Sequence, residues 1–204
     1  NTHHHWDHTG GIAELKALFG VPVVGPARET EKSGLIDRRC SERDEFAFAG
    51  AQVRVMEVPG HTLDHIAFHF PDDDLLACGD TLFSLGCGRI FEGTPAMMWH
   101  SLDRLRHLPG TTRVCCAHEY TLANGRFALH VEPGNPALQR RMREVEDLRE
   151  RDLPTLPSTI ALERATNPFL RPESSEIRAR LGLFDADDAS VFARLRAMKD
   201  DFRG

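Results

Sequence analysis

Apolar residues are distributed in two ways along this chain. Between residues 21 and 116 they come in short runs, at 21–24, 52–58, 66–70, 75–78 and 113–116, mostly bounded by Gly, Pro or Asp. Runs of that length with such borders predict β-strands. Within 52–58, Val53, Val55 and Glu57 alternate with the residues between them, a weak period-2 signal. Elsewhere the spacing is three and four, the repeat of a helix buried on one side. Residues 11–19 carry Ile12, Leu15, Leu18 and Phe19 on one face. Thr94-Pro95 supplies an N-cap and a proline at the first helical position, followed by Met98, Leu102, Leu105 and Leu108 on one stripe.

After His118 only the helical spacing remains. Asn135-Pro136 opens a helix with Leu138, Met142, Val145 and Leu148 in line. Pro154, Pro157 and Pro168 then break the chain into an irregular connection, because proline ends or kinks a helix. Ser174 or Ser175 starts a short helix that can end at Gly182. Asp187 or Asp188 starts the last one, with Val191, Leu195, Met198 and Phe202 along one side. The pattern predicts a strand-rich α/β unit over residues 1–118 and a helical unit over 119–204.

Composition narrows the class without changing that picture. With 41% hydrophobic and 27% charged residues, the 204-residue chain reads as globular. It has no apolar run long enough to cross a bilayer, and no signal-type segment opens it, which predicts no membrane association. A net charge of −6 argues against a general nucleic-acid binder, yet leaves room for a local basic pocket facing an acidic small molecule. The cysteines, Cys40, Cys78, Cys87, Cys115 and Cys116, are odd in number, two are adjacent, and no C-x-x-C pair occurs. This predicts neither a disulfide framework nor a thiolate zinc site, and reduced thiols fit a cytoplasmic protein.

The chemistry is concentrated in ligand-type residues. Thr2-His3-His4-His5-Trp6-Asp7-His8 is followed by Gly10-Gly11. On an extended segment residues i and i+2 project to one side, so His3 and His5 can share a metal ion. The turn into the next helix can swing Asp7 and His8 toward a second. Three further ligand types each follow a short apolar run: His61 in Pro59-Gly60-His61-Thr62, Asp80 in Cys78-Gly79-Asp80-Thr81, and His118 in Cys116-Ala117-His118-Glu119. A His-rich N-terminus can also be a purification tag, but a tag has no Asp-His-x-Gly-Gly continuation and no downstream partners. A structural zinc site is closed by four ligands, often Cys. Seven candidates fit two ions with an open position better.

At these residues the chain resembles the metallo-β-lactamase superfamily, whose signature T-H-x-H-x-D-H is complete here. Within it, the chain is similar to the glyoxalase II (hydroxyacylglutathione hydrolase) family. The matching segments are Cys78-Gly79-Asp80-Thr81-Leu82-Phe83, Gly86-Cys87-Gly88-Arg89, Phe91-Glu92-Gly93-Thr94, His118-Glu119-Tyr120-Thr121, Val131-Glu132-Pro133-Gly134-Asn135, Asn167-Pro168-Phe169 and Lys199-Asp200. The resemblance implies a metallo-β-lactamase αββα sandwich with a helical C-terminal domain. It places His3, His5 and His61 on one metal ion, Asp7, His8 and His118 on the other, and Asp80 between them. The ions it implies are divalent, with zinc first and iron or manganese as alternatives. Asp7 and Asp80 would also orient the attacking water.

The implied reaction is hydrolysis of S-D-lactoylglutathione to glutathione and D-lactate, the second step of methylglyoxal detoxification, by a monomer whose partner is the small-molecule thioester alone. Arg89, Phe91, Tyr120, Arg196 and Lys199 fall at substrate-binding positions, and cations there suit the two carboxylates of glutathione. Phe91 stands where many relatives have tyrosine, Asp64 where glycine is common in G-H-T-x-G-H, and His65 reads as a supporting residue. The alternatives are another enzyme of this fold, such as a persulfide dioxygenase with one iron, or a non-catalytic metal-binding fragment. Relatives carry strands ahead of the histidine motif, which here begins at residue 2; an N-terminally truncated sandwich is expected to expose sheet edges and apolar surface.

Overall fold

The computed structural model describes residues 1–27 and 34–204. A helical turn, α1 (Trp6–Thr9), leads into α2 (Ile12–Phe19). Strands β1 (Val24–Pro26), β2 (Arg38–Cys40), β3 (Glu45–Phe48), β4 (Ala51–Glu57), β5 (Ile66–Phe70), β6 (Leu75–Gly79), β7 (Leu82–Phe83) and β8 (Gly86–Cys87) follow. Then come α3 (Pro95–Arg106), β9 (Arg113–Cys116), α4 (Thr121–Val131), α5 (Pro136–Glu150), β10 (Ser158–Thr159), α6 (Ile160–Thr166), α7 (Ser175–Leu181) and α8 (Asp188–Asp201). Four of the five expected runs are strands with at most one residue of difference at either end. The exception, 21–24, pairs only from Val24 onward, beside β2.

The central sheet has six strands in the order β10-β9-β6-β5-β4-β3. β4 and β6 both run antiparallel to β5, and β9 runs parallel to β6. It follows that β4, β6 and β9 all end at the same edge of the sheet, and β5 begins there. Along β4, Val53 and Val55 are buried and Arg54 is exposed, which is the alternation of a strand with one face on the core. On one face of the sheet, Val24 of β1 and Cys40 of β2 pack with Val55 and Ile66. The second layer of the sandwich is thus a two-stranded piece, β1 with β2.

On the other face lies a single larger core. Val58, Leu76, Cys78 and Val114 meet Met98, Leu102 and Leu105 of α3, Phe127 and Val131 of α4, and Val191, Phe192 and Leu195 of α8. The region after residue 118 therefore packs on the sheet's core through α4 and α8, and holds a smaller cluster of Ala128, Leu138 and Met142 with Leu85 beside it. It also contributes a strand, β10, which pairs with β9 at Ser158–Val114; a two-residue strand leaves no periodic signal in sequence. The helix borders follow the expected caps. Thr94 accepts from the Met97 N–H, the Asn135 side chain accepts from Ala137 and Leu138, and Asp187 accepts from Ser190. Gly182, at φ 67°, closes α7 in the left-handed conformation that glycine adopts without steric cost.

Two expectations need correction. The α3 stripe stops at Leu105: the helix ends at Arg106, and Leu108 is only half-buried beyond it. The face of α2 is apolar as expected, but of its four residues only Ile12 is buried. Leu18 remains 69% and Phe19 63% exposed. Amphipathic periodicity reports which face of a helix prefers burial; it does not guarantee that a partner surface covers it. Leu15, Val21, Phe46, Phe48, Phe68 and Phe70 border an open apolar groove of about 400 Å³ beside that helix.

Candidate metal centre

The sheet edge where β4, β6 and β9 end carries His61, Asp80 and His118 on the three following loops. The N-terminal segment joins the same edge: the carbonyl of Thr2 accepts from the N–H of Ile66, at the start of β5. His5 is extended, with φ −60° and ψ 148°, and α1 begins immediately after it. That single turn carries Asp7 and His8 to the far side of the cluster from His5, as the sequence suggested. Gly79, at φ 51°, fits Asp80 into place. A Cβ there would stand 2.5 Å from Thr2 Oγ1 and 2.8 Å from the ring of His65, so only glycine allows the two loops to approach this closely.

Three groups of donor atoms result, each lying within 4.8 Å: His3, His5 and His61; His3, His8 and Asp80; Asp7, His8 and His118. Together they comprise the seven residues named from sequence and, among the described residues, no others. The Asp80 carboxylate lies between the groups, with Oδ1 3.2 Å from His8 Nε2 and Oδ2 3.6 Å from His61 Nε2 and 3.4 Å from His118 Nε2. Asp7 Oδ2 is 3.2 Å from His118 Nε2 and 3.5 Å from His8 Nε2.

Several of these atoms face one another without hydrogen bonds. The Nε2 atoms of His3 and His8 and Oδ1 of Asp80 are buried and have no hydrogen-bond partner. Orphaned buried donors and acceptors are rare because each costs about 1–3 kcal/mol. A cation accepting their lone pairs removes that cost, so the donor set fits a metal. Burial, followed by the neighbouring histidines, holds the His3 imidazole far below its ordinary pKa, and burial also lowers that of His61. Both rings are then neutral at pH 7, the form that binds metals.

Outside the seven, supporting residues fix the loops. His65 is fully buried, and its Nε2 accepts from the backbone N–H of Asp80 at 3.1 Å. Burial brings its pKa down to about 3, so it stays a neutral acceptor. His61 Nδ1 donates to the Arg89 carbonyl at 2.7 Å, which leaves Nε2 free for the cluster. Glu119, next to His118, accepts from the backbone N–H and the hydroxyl of Thr155. His4 and Trp6, at the motif's variable positions, point elsewhere: His4 pairs with Glu92 at 3.2 Å, and Trp6 is exposed.

The cluster floors a cavity of about 540 Å³, lined by His5, Asp7, His61, Asp80, Phe83, Arg89, Phe91, His118 and Tyr120. Tyr120 stacks on His118 with centroids 4.9 Å apart, and Phe91 stands edge-on to His61 at 5.3 Å. Of the five substrate positions inferred from resemblance, Arg89, Phe91 and Tyr120 lie here and the other two do not. Arg196 is only 7% exposed; it donates to the Cys87 carbonyl at 3.0 Å and sits over the Phe169 ring. The Lys199 ammonium lies 5.7 Å from the Phe127 and Phe202 rings.

Two further residues were not anticipated. Asp200 bridges Arg89 and Arg196. Glu163 is fully buried and accepts from Ser84 Oγ, Leu85 N, Ser158 Oγ and Asn167 Nδ2, which anchors the β7–β8 hairpin behind Phe83. Asp200 and Asn167 did stand in the segments that carried the resemblance; Glu163 fell in the stretch read as an irregular connection, where the structure instead forms α6.

Comparison with known proteins separates the enzymes that share this arrangement. The model of the metallo-β-lactamase superfamily matches residues 1–118, and that of the hydroxyacylglutathione hydrolase C-terminus matches residues 119–202. A hydroxyacylglutathione hydrolase of Methylococcus capsulatus is 56% identical over 204 residues, all of this chain and 80% of that protein. The chain belongs to the hydroxyacylglutathione hydrolase family. Among solved structures, the fold is shared with the BLEG-1 B3 metallo-β-lactamase, at TM-score 0.60 and 19% identity over 82% of this chain and 74% of that one. A second solved protein, in a di-iron-bound form, aligns at TM-score 0.55 and 26% identity over 83% of this chain and 75% of that one. The superfamily implies a dinuclear metal site, and in this chain the seven-residue cluster is where one fits. No helix among the described residues is long and apolar enough to cross a membrane.

Proposed function

We propose that this chain cleaves S-D-lactoylglutathione and related 2-hydroxyacylglutathione thioesters to glutathione and the free hydroxy acid. The observation that carries the reading is the coincidence of a seven-donor cluster with a tail of the family's own type, whose last helix reaches the cavity rim through Asp200 and Arg89. The match of residues 119–202 to the hydroxyacylglutathione hydrolase C-terminus is what favours this reading over a lactamase of the same fold. The same tail argues against a persulfide dioxygenase, and an intact donor set argues against a non-catalytic fragment.

His3, His5 and His61 would hold one divalent cation, Asp7, His8 and His118 a second, with Asp80 shared. Such cations supply Lewis acidity for the thioester carbonyl and make water acidic enough to attack near neutral pH. Imidazole with carboxylate suits zinc, with iron or manganese as alternatives. The chain's own residues do the rest. Asp7 and Asp80 accept hydrogen bonds from the attacking water and aim its lone pair at the carbonyl carbon. Phe83, Phe91 and Tyr120 exclude bulk water, which strengthens each polar contact inside. The departing group is a thiolate, stable enough near neutral pH that no separate proton donor is needed. Arg89 meets a glutathione carboxylate, and Lys199 adds positive charge nearby; Arg196 acts on the substrate through the segment it holds.

Residues 1–118 then supply the metal site together with Arg89 and Phe91, and residues 119–204 complete the substrate side with Tyr120 and the last helix, in a monomer whose five free thiols suit the cytoplasm. The test is a comparison of substrates on metal-loaded protein. Turnover of S-D-lactoylglutathione, with none of a β-lactam and no oxygen consumption with glutathione persulfide, is the expected result. Oxygen consumption, or absence of thioester hydrolysis, would refute the reading.

A further inference from the structure

Arg89, the one arginine or lysine lining the cavity among the described residues, is already paired with a residue of the chain itself. Arg89 Nε donates to Asp200 Oδ1 at 3.2 Å, and the same oxygen accepts from Arg196 Nη2 at 3.0 Å. The two partners differ in kind. Arg196 is buried, is held as well by the Cys87 carbonyl, and lies one helical turn before Asp200 on α8. The Arg89 side chain is 56% exposed at the cavity rim. A buried guanidinium gives up a charged partner only at large cost. An exposed ion pair contributes little and exchanges readily.

From this asymmetry we infer that Asp200 is a specificity-setting latch: it parks Arg89 against the last helix in the free protein and yields it to a carboxylate of the incoming ligand. This rests on the reading that the ligand is a glutathione derivative, whose carboxylates are the competing acceptors. When Arg89 leaves, Asp200 keeps Arg196, so no buried charge is stranded and the exchange costs little. While Arg89 is parked, its charge is neutralised. A thioester without a carboxylate cannot release it and gains nothing from it. Asp200 is a positioning residue in this account; it touches neither the thioester nor the cluster.

The latch has an unusual signature. Most substitutions near a binding site weaken binding, whereas removing an internal competitor strengthens it. Asp200→Asn keeps an oxygen that accepts from Arg196 but loses the charge that competes for Arg89. On the metal-loaded full chain, KM for S-D-lactoylglutathione should fall by about two- to fivefold, the range of an exposed ion pair. The Kd for S-hexylglutathione, which cannot be hydrolysed, should fall in step by calorimetry. Neither should change when Asp200→Asn is introduced into an Arg89→Ala background.

A rise in KM and Kd, or no change, overturns the latch, as does an equal gain in the Arg89→Ala background, which would mean a diffuse field effect. If Asp200→Asn is too unstable to measure, the wild-type complex with S-hexylglutathione decides: Arg89 should have left Asp200 while Arg196 remains at hydrogen-bond distance. Arg89 still on Asp200 would refute the proposal. Because S-hexylglutathione binding needs no turnover, a protein that binds it as predicted but leaves the thioester intact would refute the proposed reaction and not the latch.

Discussion

The metal cluster and the cationic side of the cavity are built by opposite means. In the cluster, seven donors from four stretches of chain converge because three strand ends and the N-terminal segment meet at one sheet edge, and three of their atoms, His3 Nε2, His8 Nε2 and Asp80 Oδ1, are buried there without a hydrogen-bond partner. On the cationic side, Arg89, Arg196 and Lys199 come from two stretches, and each already has protein partners: a carboxylate, a carbonyl or aromatic rings. A site for a metal ion must leave its donors unpartnered, since nothing else satisfies them. A site for a flexible, charged peptide can keep its cations paired until the ligand exchanges with those partners. This difference explains why the motif located the first group and only partly located the second.

Three substitutions probe that contrast, in decreasing order of effect. Asp80→Ala removes the one carboxylate lying between the groups and leaves the cations facing each other unshielded. At least one ion per chain and nearly all turnover should be lost, as read by elemental analysis and steady-state rates; retained metal and turnover would mean that Asp80 is not shared.

Arg196→Ala should act on the fold. It deletes a buried guanidinium and leaves the Cys87 carbonyl without that donor, at a cost of about 1–3 kcal/mol for a stranded buried polar group. A denaturant midpoint should register that loss. KM should rise alike for glutathione thioesters and for small thioesters, because the Cys87–Arg89 segment loosens. A normal midpoint with a loss confined to glutathione thioesters would show that Arg196 contacts the ligand after all. Arg89→Ala should behave in the reverse way, with little change in midpoint. A charge-assisted contact contributes about 1.5–3 kcal/mol, less what the parked ion pair gives back. KM for the glutathione thioester should therefore rise about tenfold, with kcat nearly constant and a small uncharged thioester unaffected. A fall in kcat alone would place Arg89 at the reacting carbonyl instead.

The legible parts of the molecule are those fixed by short-range rules. Strands at 66–70 and 113–116, the Thr94, Asn135 and Asp187 caps and the Gly182 stop can be read because each rests on local backbone chemistry. The histidine motif can be read because its i, i+2 pair and following turn are local too. What was missed depends on distant partners. Strand β3, with Phe46 half-buried and Phe48 exposed, has no clean alternation, and β10 exists only through β9. The exposure of α2 reflects what lies beside it, and its own periodicity is correct. The burial of Arg196 could not be seen in a helix whose other face is apolar, since guanidinium groups at such positions are usually solvated. Glu163 was missed for the same reason: its four hydrogen-bond donors come from residues 84, 85, 158 and 167, and sequence gives no sign that they meet.

The central claim is that seven donors at one sheet edge hold two ions and that both are needed for thioester hydrolysis. Metal-stripped protein titrated with zinc, with S-D-lactoylglutathione hydrolysis followed at each step, tests it directly. Turnover should climb until two ions per chain are bound and then level off. Full turnover with no ion or with one, or none at any loading, would contradict the account.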